Sequence, residues 1–193
     1  MRQEQVAADV RKLKDSLGQL PEPMISPPFI VVSGLPGTGK SYLSRRLSEK
    51  MPLAVLESDS LRKQLFSSPQ YTPQESARLF QVCHSLIEEL LKAGVPLVLD
   101  ATNLEEFHRE RLYHIAEKLG VKLIIVRTEA PTEIVYQRLE QRRFDSGGSS
   151  DADWQVYEKM KPNAQRIRRN HFRVDTSKDI SPVIDKIVRE ANR

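Results

Sequence analysis

Cysteine is almost missing: of 193 residues, only Cys83 carries a thiol. A single cysteine forms no internal disulfide and no thiolate metal cage, which excludes disulfide-framed secreted domains and zinc fingers. Long apolar runs are missing too. No stretch approaches the roughly 20 residues needed to span a bilayer, and Met1–Asp15 is polar and mixed in charge, unlike a secretory leader. Nor does one sign of charge dominate. The 30 Lys and Arg against 26 Asp and Glu leave a formal net charge of +4, a weak bias toward anionic partners. His84, His108, His114 and His171 share no metal-ligand spacing. With 39% hydrophobic and 29% charged residues, the expectation is a globular protein in a reducing, cytoplasmic setting.

What is present is a regular alternation. Val6, Val10, Leu13, Leu17 and Leu20 recur at helical steps, predicting an amphipathic helix over residues 3–18 with a narrow apolar seam. Four prolines between Pro21 and Pro28 then read as a linker. Residues 1–28 are thus expected to be an appendage that docks on its own domain or self-associates, and 29–193 the main domain. Strands are predicted at 29–33, 53–56, 96–99, 121–126 and 172–175, with helices between them. Thr72-Pro73-Gln74-Glu75 is a helix start, with a Thr cap, Pro at the first position and Glu three after the cap; Asn103 and Glu106 look like another. Asp145–Ser150 reads as a flexible loop, followed by a short helix over 151–160. The expected class is α/β, with a five-stranded, mainly parallel sheet between two helical layers.

The sharpest motif is Gly34-Leu35-Pro36-Gly37-Thr38-Gly39-Lys40-Ser41, which lies between a predicted strand and a predicted helix. Glycines at these places let backbone N–H groups turn inward around phosphates, and the helix start aims its positive end at them. Lys40 is placed to reach the β- and γ-phosphates and Ser41 to hold Mg²⁺. The ATP contacts are expected to run from Gly34 through Tyr42.

Further acids stand at the ends of later strands. Asp59 follows the second strand, where a carboxylate either accepts a proton from an attacking hydroxyl or caps the next helix. Arg62, three residues on, suits a forked contact to an anionic acceptor. Asp100 ends the third strand and either orients Mg²⁺ or competes for the role of base. Thr102 and Asn103 are acceptor contacts, or Asn103 is a helix cap. Arg138, Arg142 and Arg143 lie on a helix running into the Gly-Ser loop, either as the arginines of a closing lid or as a solvated basic face; Arg138 and Arg142 share a face as catalytic candidates. Lys159, Lys161, Arg166, Arg168, Arg169 and Arg173 form a late basic cluster that either attracts a nucleic-acid backbone or is a solvated face.

Together, the phosphate loop, Asp59-x-x-Arg62, Asp100-x-Thr102-Asn103 and the arginine-rich segment resemble the P-loop kinases grouped around the 5′-kinase domain of phage polynucleotide kinase. Zeta-toxin, gluconate and chloramphenicol kinases are broader relatives. The likeness extends to bacterial stand-alone kinases with AAA-type ATPase domains, through Ser150-Asp151-Ala152. It covers about residues 29–180. It implies a P-loop three-layer sandwich with a helical lid, ATP and Mg²⁺ as cofactors, Asp59 as general base and Arg62 as acceptor contact. It also implies an adenine border at Asp175-Thr176-Ser177. The implied activity is transfer of the γ-phosphoryl group to a hydroxyl, on a polynucleotide 5′ end or a small molecule. A zeta-type sugar-nucleotide kinase, or a nucleotide switch gripping a partner through its N-terminal helix, would share the phosphate loop.

Overall fold

Apolar runs with no polar alternation become strands covered on both faces. In the computed structural model, which describes residues 3–144 and 152–193, these are β1 (Phe29–Ser33), β2 (Ala54–Glu57), β3 (Leu97–Asp100), β4 (Leu123–Glu129) and β5 (Phe172–Asp175). They form one sheet in the order β2-β3-β1-β4-β5, and all four pairings are parallel. The helices are α1 (Gln3–Ser16), α2 (Lys40–Ser48), α3 (Ser58–Leu65), α4 (Pro73–Lys92), α5 (Glu106–Leu119), α6 (Thr132–Phe144), α7 (Trp154–Met160) and α8 (Ser181–Ala191).

Strand alternation sorts the core into two layers. Phe29, Val31, Leu56, Leu97 and Leu99 face α1, α3, α4 and α5. Ile30, Val32, Val98, Ile124, Val126 and Val174 face α2 and α8. The result is the three-layer α/β/α sandwich of the P-loop fold. Among the described residues no helix is long and apolar enough to cross a membrane. The Gly-Ser stretch 145–150, the Ser150-Asp151 pair and the Arg143 side chain lie outside the described residues.

Local signals explain most boundaries. Thr72 does cap α4, its hydroxyl accepting from Glu75 N–H at 3.2 Å. Asn103 does not cap α5; the cap position is Glu105. Asn103 instead sits at φ 43° and donates its amide to the Val32 carbonyl at 2.8 Å, tying the end of β3 to β1. Strand β4 runs past its apolar stretch because Val126–Glu129 pair with β5.

Of the two expectations for the N-terminal helix, docking on its own domain is the one the packing agrees with. The helix packs on α4 and α3, with Leu13 fully buried and Val10 at 6% exposure. Burial of such side chains contributes roughly 1.5–3 kcal/mol each. Val6, Leu17 and Leu20 close over the same cluster, so the apolar seam faces the chain's own domain. Met24 of the linker donates its N–H to Gly94 at the end of α4.

Candidate active site

The turn from β1 into α2 is braced from behind. Gly34 N–H donates to the Thr102 carbonyl at 3.0 Å. A Cβ on Gly34 would lie 2.3 Å from Thr128 Oγ1, so only glycine fits. The Thr38 hydroxyl donates to the Leu35 carbonyl at 2.7 Å and meets Thr128 Oγ1 at 2.8 Å. Gly39 stands at φ 85°, a left-handed conformation that favours glycine, and a Cβ there would press on Thr176. Thr176 Oγ1 donates to the Thr38 carbonyl at 2.9 Å. Arg138 in turn donates to Thr176 Oγ1 and to its carbonyl, both at 2.8 Å, and reaches the Gly37 carbonyl at 3.3 Å.

Three sequence candidates stand outside the cavity described below. Arg138 is bonded to Thr176 and to the Gly37 carbonyl and does not line it. Thr176 is buried against Thr38 and does not line it either. Tyr42 is 43% exposed on α2, outside the cavity. The Thr38 side chain also faces inward, and Thr38 does not line the cavity.

Beyond the loop, a cavity of about 510 Å³ opens at the carboxyl ends of β1, β2 and β3. Pro36, Gly37, Gly39, Lys40, Ser41, Asp59, Arg62, Asp100, Thr102, Asn103 and Arg142 all line it. The fold thus gathers Lys40, both candidate acids, Arg62 and Arg142. Asn103 borders the cavity, but its side-chain amide is committed to Val32.

Charge in this cavity is strongly coupled. Burial pulls the Lys40 ammonium below its ordinary pKa, while the Asp100 and Asp59 carboxylates oppose that shift and Arg142 reinforces it. Lys40 Nζ donates to the Leu35 carbonyl at 3.1 Å. Asp100 is 4% exposed. Burial pushes its carboxyl up, opposed by Lys40 and by a hydrogen bond with Ser41. Its Oδ2 is buried without a hydrogen-bond partner. Asp59 lies in the first turn of α3, which begins at Ser58 with Glu57 in the cap position. It is therefore not the cap.

Across the cavity, Arg62 is 7% exposed. Its Nη2 donates to Ser76 Oγ at 3.2 Å, its Nη1 stands 3.7 Å from Glu75, and its guanidinium lies 4.8 Å from the Tyr71 ring centre. Nε and Nη1 are buried without a hydrogen-bond partner. Leaving such groups unpaired costs about 1–3 kcal/mol or more. Arg62 thus lines the cavity with hydrogen-bonding capacity left over.

Sequence reasoning missed the rest of this wall. Tyr71, Ser76, Leu79, Phe80, His108, Val156, Lys159 and Met160 line it. The apolar stripe of α4 conceals Leu79 and Phe80 among core positions, and His108 is stacked 4.8 Å from Phe80. The α7 side is held to α6 by Trp154, 5.1 Å from Tyr136 and 4.8 Å from Tyr157. Cys83 is no nucleophile: burial pushes its thiol up to about 12. The late basic cluster is partly neutralised, since Arg169 pairs with Glu117 and Glu110, and Arg173 with Glu129.

A family profile described as AAA domain matches residues 29–167, and the chain belongs to that family. Several of its relatives are kinases. The adenylyl-sulfate kinase of Myxococcus xanthus is 27% identical over 111 residues, 55% of this chain and 60% of that protein. The gluconokinase of Gluconobacter oxydans is 27% identical over 123 residues, 61% of this chain and 67% of that protein. The chain therefore spans about three fifths to two thirds of the length of these relatives. Among solved structures, the Mycobacterium tuberculosis APS kinase CysC in complex with AMPPNP and APS superposes with a TM-score of 0.66 at 17% identity, covering 89% of this chain and 100% of that one. A chain of the Pnkp1/Rnl/Hen1 RNA repair complex gives a TM-score of 0.62 at 20% identity, covering 72% and 44%. These structural likenesses concern the fold.

Proposed function

We propose that the protein is a kinase that transfers the γ-phosphoryl group of Mg²⁺-bound ATP to a hydroxyl of a small, anionic acceptor. The observation that carries this reading is the single cavity shared by Lys40, Ser41, Asp59, Arg62 and Asp100. A guanidinium and a candidate base that share the cavity with the phosphate loop leave room and chemistry for an acceptor beside the nucleotide.

Asp59 is assigned as the base. As the acceptor oxygen bonds to the γ-phosphorus, the bond to the β–γ bridging oxygen breaks, ADP leaves with the electron pair, and the acceptor proton passes to Asp59. Lys40 and Arg142 hold the charge spreading over the transferred group. Arg62 fixes the acceptor's anionic part, so the hydroxyl approaches in line. Arg138 and Thr176 keep the loop in shape. Ser41 and Asp100 fit a magnesium ion, being hard oxygen donors with one carboxylate oxygen unpaired. Bound there, the ion would neutralise the phosphates.

Partial pairing of the late arginines weakens the support for a polynucleotide acceptor, and burial of the α1 seam weakens the partner-gripping switch. The test is transfer of labelled γ-phosphate from ATP to a panel: 5′-hydroxyl DNA and RNA oligonucleotides, nucleosides, sugars, sugar acids, sugar nucleotides and adenylyl sulfate. Label on a small anionic member is expected. Label on oligonucleotides alone would replace that acceptor with a polynucleotide, and label released only as inorganic phosphate would overturn the kinase reading.

A further inference from the structure

The family match begins at residue 29, so α1 lies outside it. Yet α1 packs on α3 and α4, the two helices that carry Asp59, Arg62, Ser76 and Phe80 into the cavity. An apolar seam alone would dock it. The contact also holds a polar clamp. Asp9, 5% exposed, accepts from Arg78 Nε and Nη2, both at 2.8 Å, and from Gln5 Nε2 at 3.0 Å. The Arg78 bond holds the Asp9 carboxyl below its ordinary pKa.

Such a two-point fork has one geometry. Sliding α1 along α4 by one turn, about 5.4 Å, would keep apolar residues facing one another but separate the pair. The clamp also extends toward the cavity. The Arg78 guanidinium lies 5.4 Å from the Phe66 ring centre. Phe66 ends α3, its N–H donating to the Arg62 carbonyl at 2.9 Å. The contacts run from Asp9 through Arg78 and Phe66 to Arg62, across the mouth of the segment that joins α3 to α4.

We propose that α1 is a positioning element of the acceptor half of the site, and that the Asp9–Arg78 pair sets the placement of α3 against α4 and with it the aim of Arg62. The kinetic part of this proposal rests on the phosphotransferase reading; the structural part does not. Asp9 and Arg78 touch no substrate. Their influence falls on the acceptor side, because the phosphate loop is braced independently by Thr102, Thr128, Thr176 and Arg138.

The test uses the full chain in three forms: wild type, Asp9→Asn, and the exchanged pair Asp9→Arg with Arg78→Asp. Asp9→Asn keeps the volume and removes the charge. Three readouts are taken: amide hydrogen exchange, affinity for N-methylanthraniloyl-ATP with Mg²⁺, and transfer to whichever panel member the wild type labels. In Asp9→Asn, exchange over residues 58–72 should rise about tenfold while that over 29–45 stays unchanged. Nucleotide affinity should stay within about twofold, and KM for the acceptor should rise about tenfold with KM for ATP unchanged. The exchanged pair should recover part of each loss. Unchanged exchange over 58–72 would overturn the proposal. So would equal loosening over 29–45 with loss of nucleotide binding, because α1 would then support the whole fold alike. If the wild type labels no panel member, the phosphotransferase reading fails, and exchange with nucleotide affinity still decides the clamp.

Discussion

Around Lys40, the polar groups of the phosphate turn are tied to one another and to Thr102, Thr128, Thr176 and Arg138. Around Arg62, across the same cavity, two buried N–H groups have no hydrogen-bond partner. One half is a cradle-like turn held in shape by main-chain and threonine hydrogen bonds. The other is a side-chain wall drawn from α3, α4, α5 and α7. On the proposed reading the difference teaches where specificity resides: the turn receives phosphates, which are alike in every kinase, and the wall receives the acceptor, which differs.

Removing Lys40 should break the cradle side most severely. Lys40→Ala takes away the ammonium beside the transferred phosphoryl group, and kcat should fall by about 10²–10³-fold or more. Steady-state transfer with saturating acceptor checks it. Arg62→Met should sharpen the contrast. A hydrogen bond to a charged group is worth about 1.5–3 kcal/mol, so KM for the acceptor should rise by about ten- to a hundredfold. KM for ATP should barely move, and a shared rise would merge the two halves.

A smaller effect concerns pH. Burial raises the Asp100 carboxyl, so its ionisation disfavours the folded chain. Its contribution to stability falls as pH rises from the unfolded carboxylate value through the raised folded one. Magnesium requires the deprotonated form. Mg²⁺-ATP affinity should therefore weaken as pH is lowered from neutral into that raised range. In Asp100→Asn it should be weaker throughout and flat with pH over the same range. Titration calorimetry at a series of pH values measures both.

The cradle was legible because its signal is local. Gly34 to Ser41 carry their spacing in eight consecutive residues, Asp100 stands directly after an apolar run, and Asp59 stands three positions after another. The acceptor wall was not, because distant segments assemble it. Phe80 and His108 meet only once α4 and α5 pack together. Similar reasons explain the other differences. Arg127–Glu129 look like the end of a strand until β5 pairs with them. Asn103 has the residue type of a helix cap, yet its amide finds the Val32 carbonyl 71 positions away. Arg138 has the spacing of a lid arginine, but the β5–α8 turn supplies a nearer partner in Thr176. Arg109 gave no sequence signal at all. It is fully buried and donates to the carbonyls of Asn103, Leu104 and Arg166, joining the loop between β3 and α5 to the segment after α7.

The most direct test of a site divided between cradle and wall is Asp59→Asn, assayed twice: for N-methylanthraniloyl-ATP binding with Mg²⁺, and for transfer to the acceptor that the wild type labels. Loss of a positioned base costs about 10²–10⁴-fold in rate. The account predicts transfer reduced by that order with nucleotide affinity unchanged. Transfer at the wild-type rate would contradict it and move the role of base to Asp100.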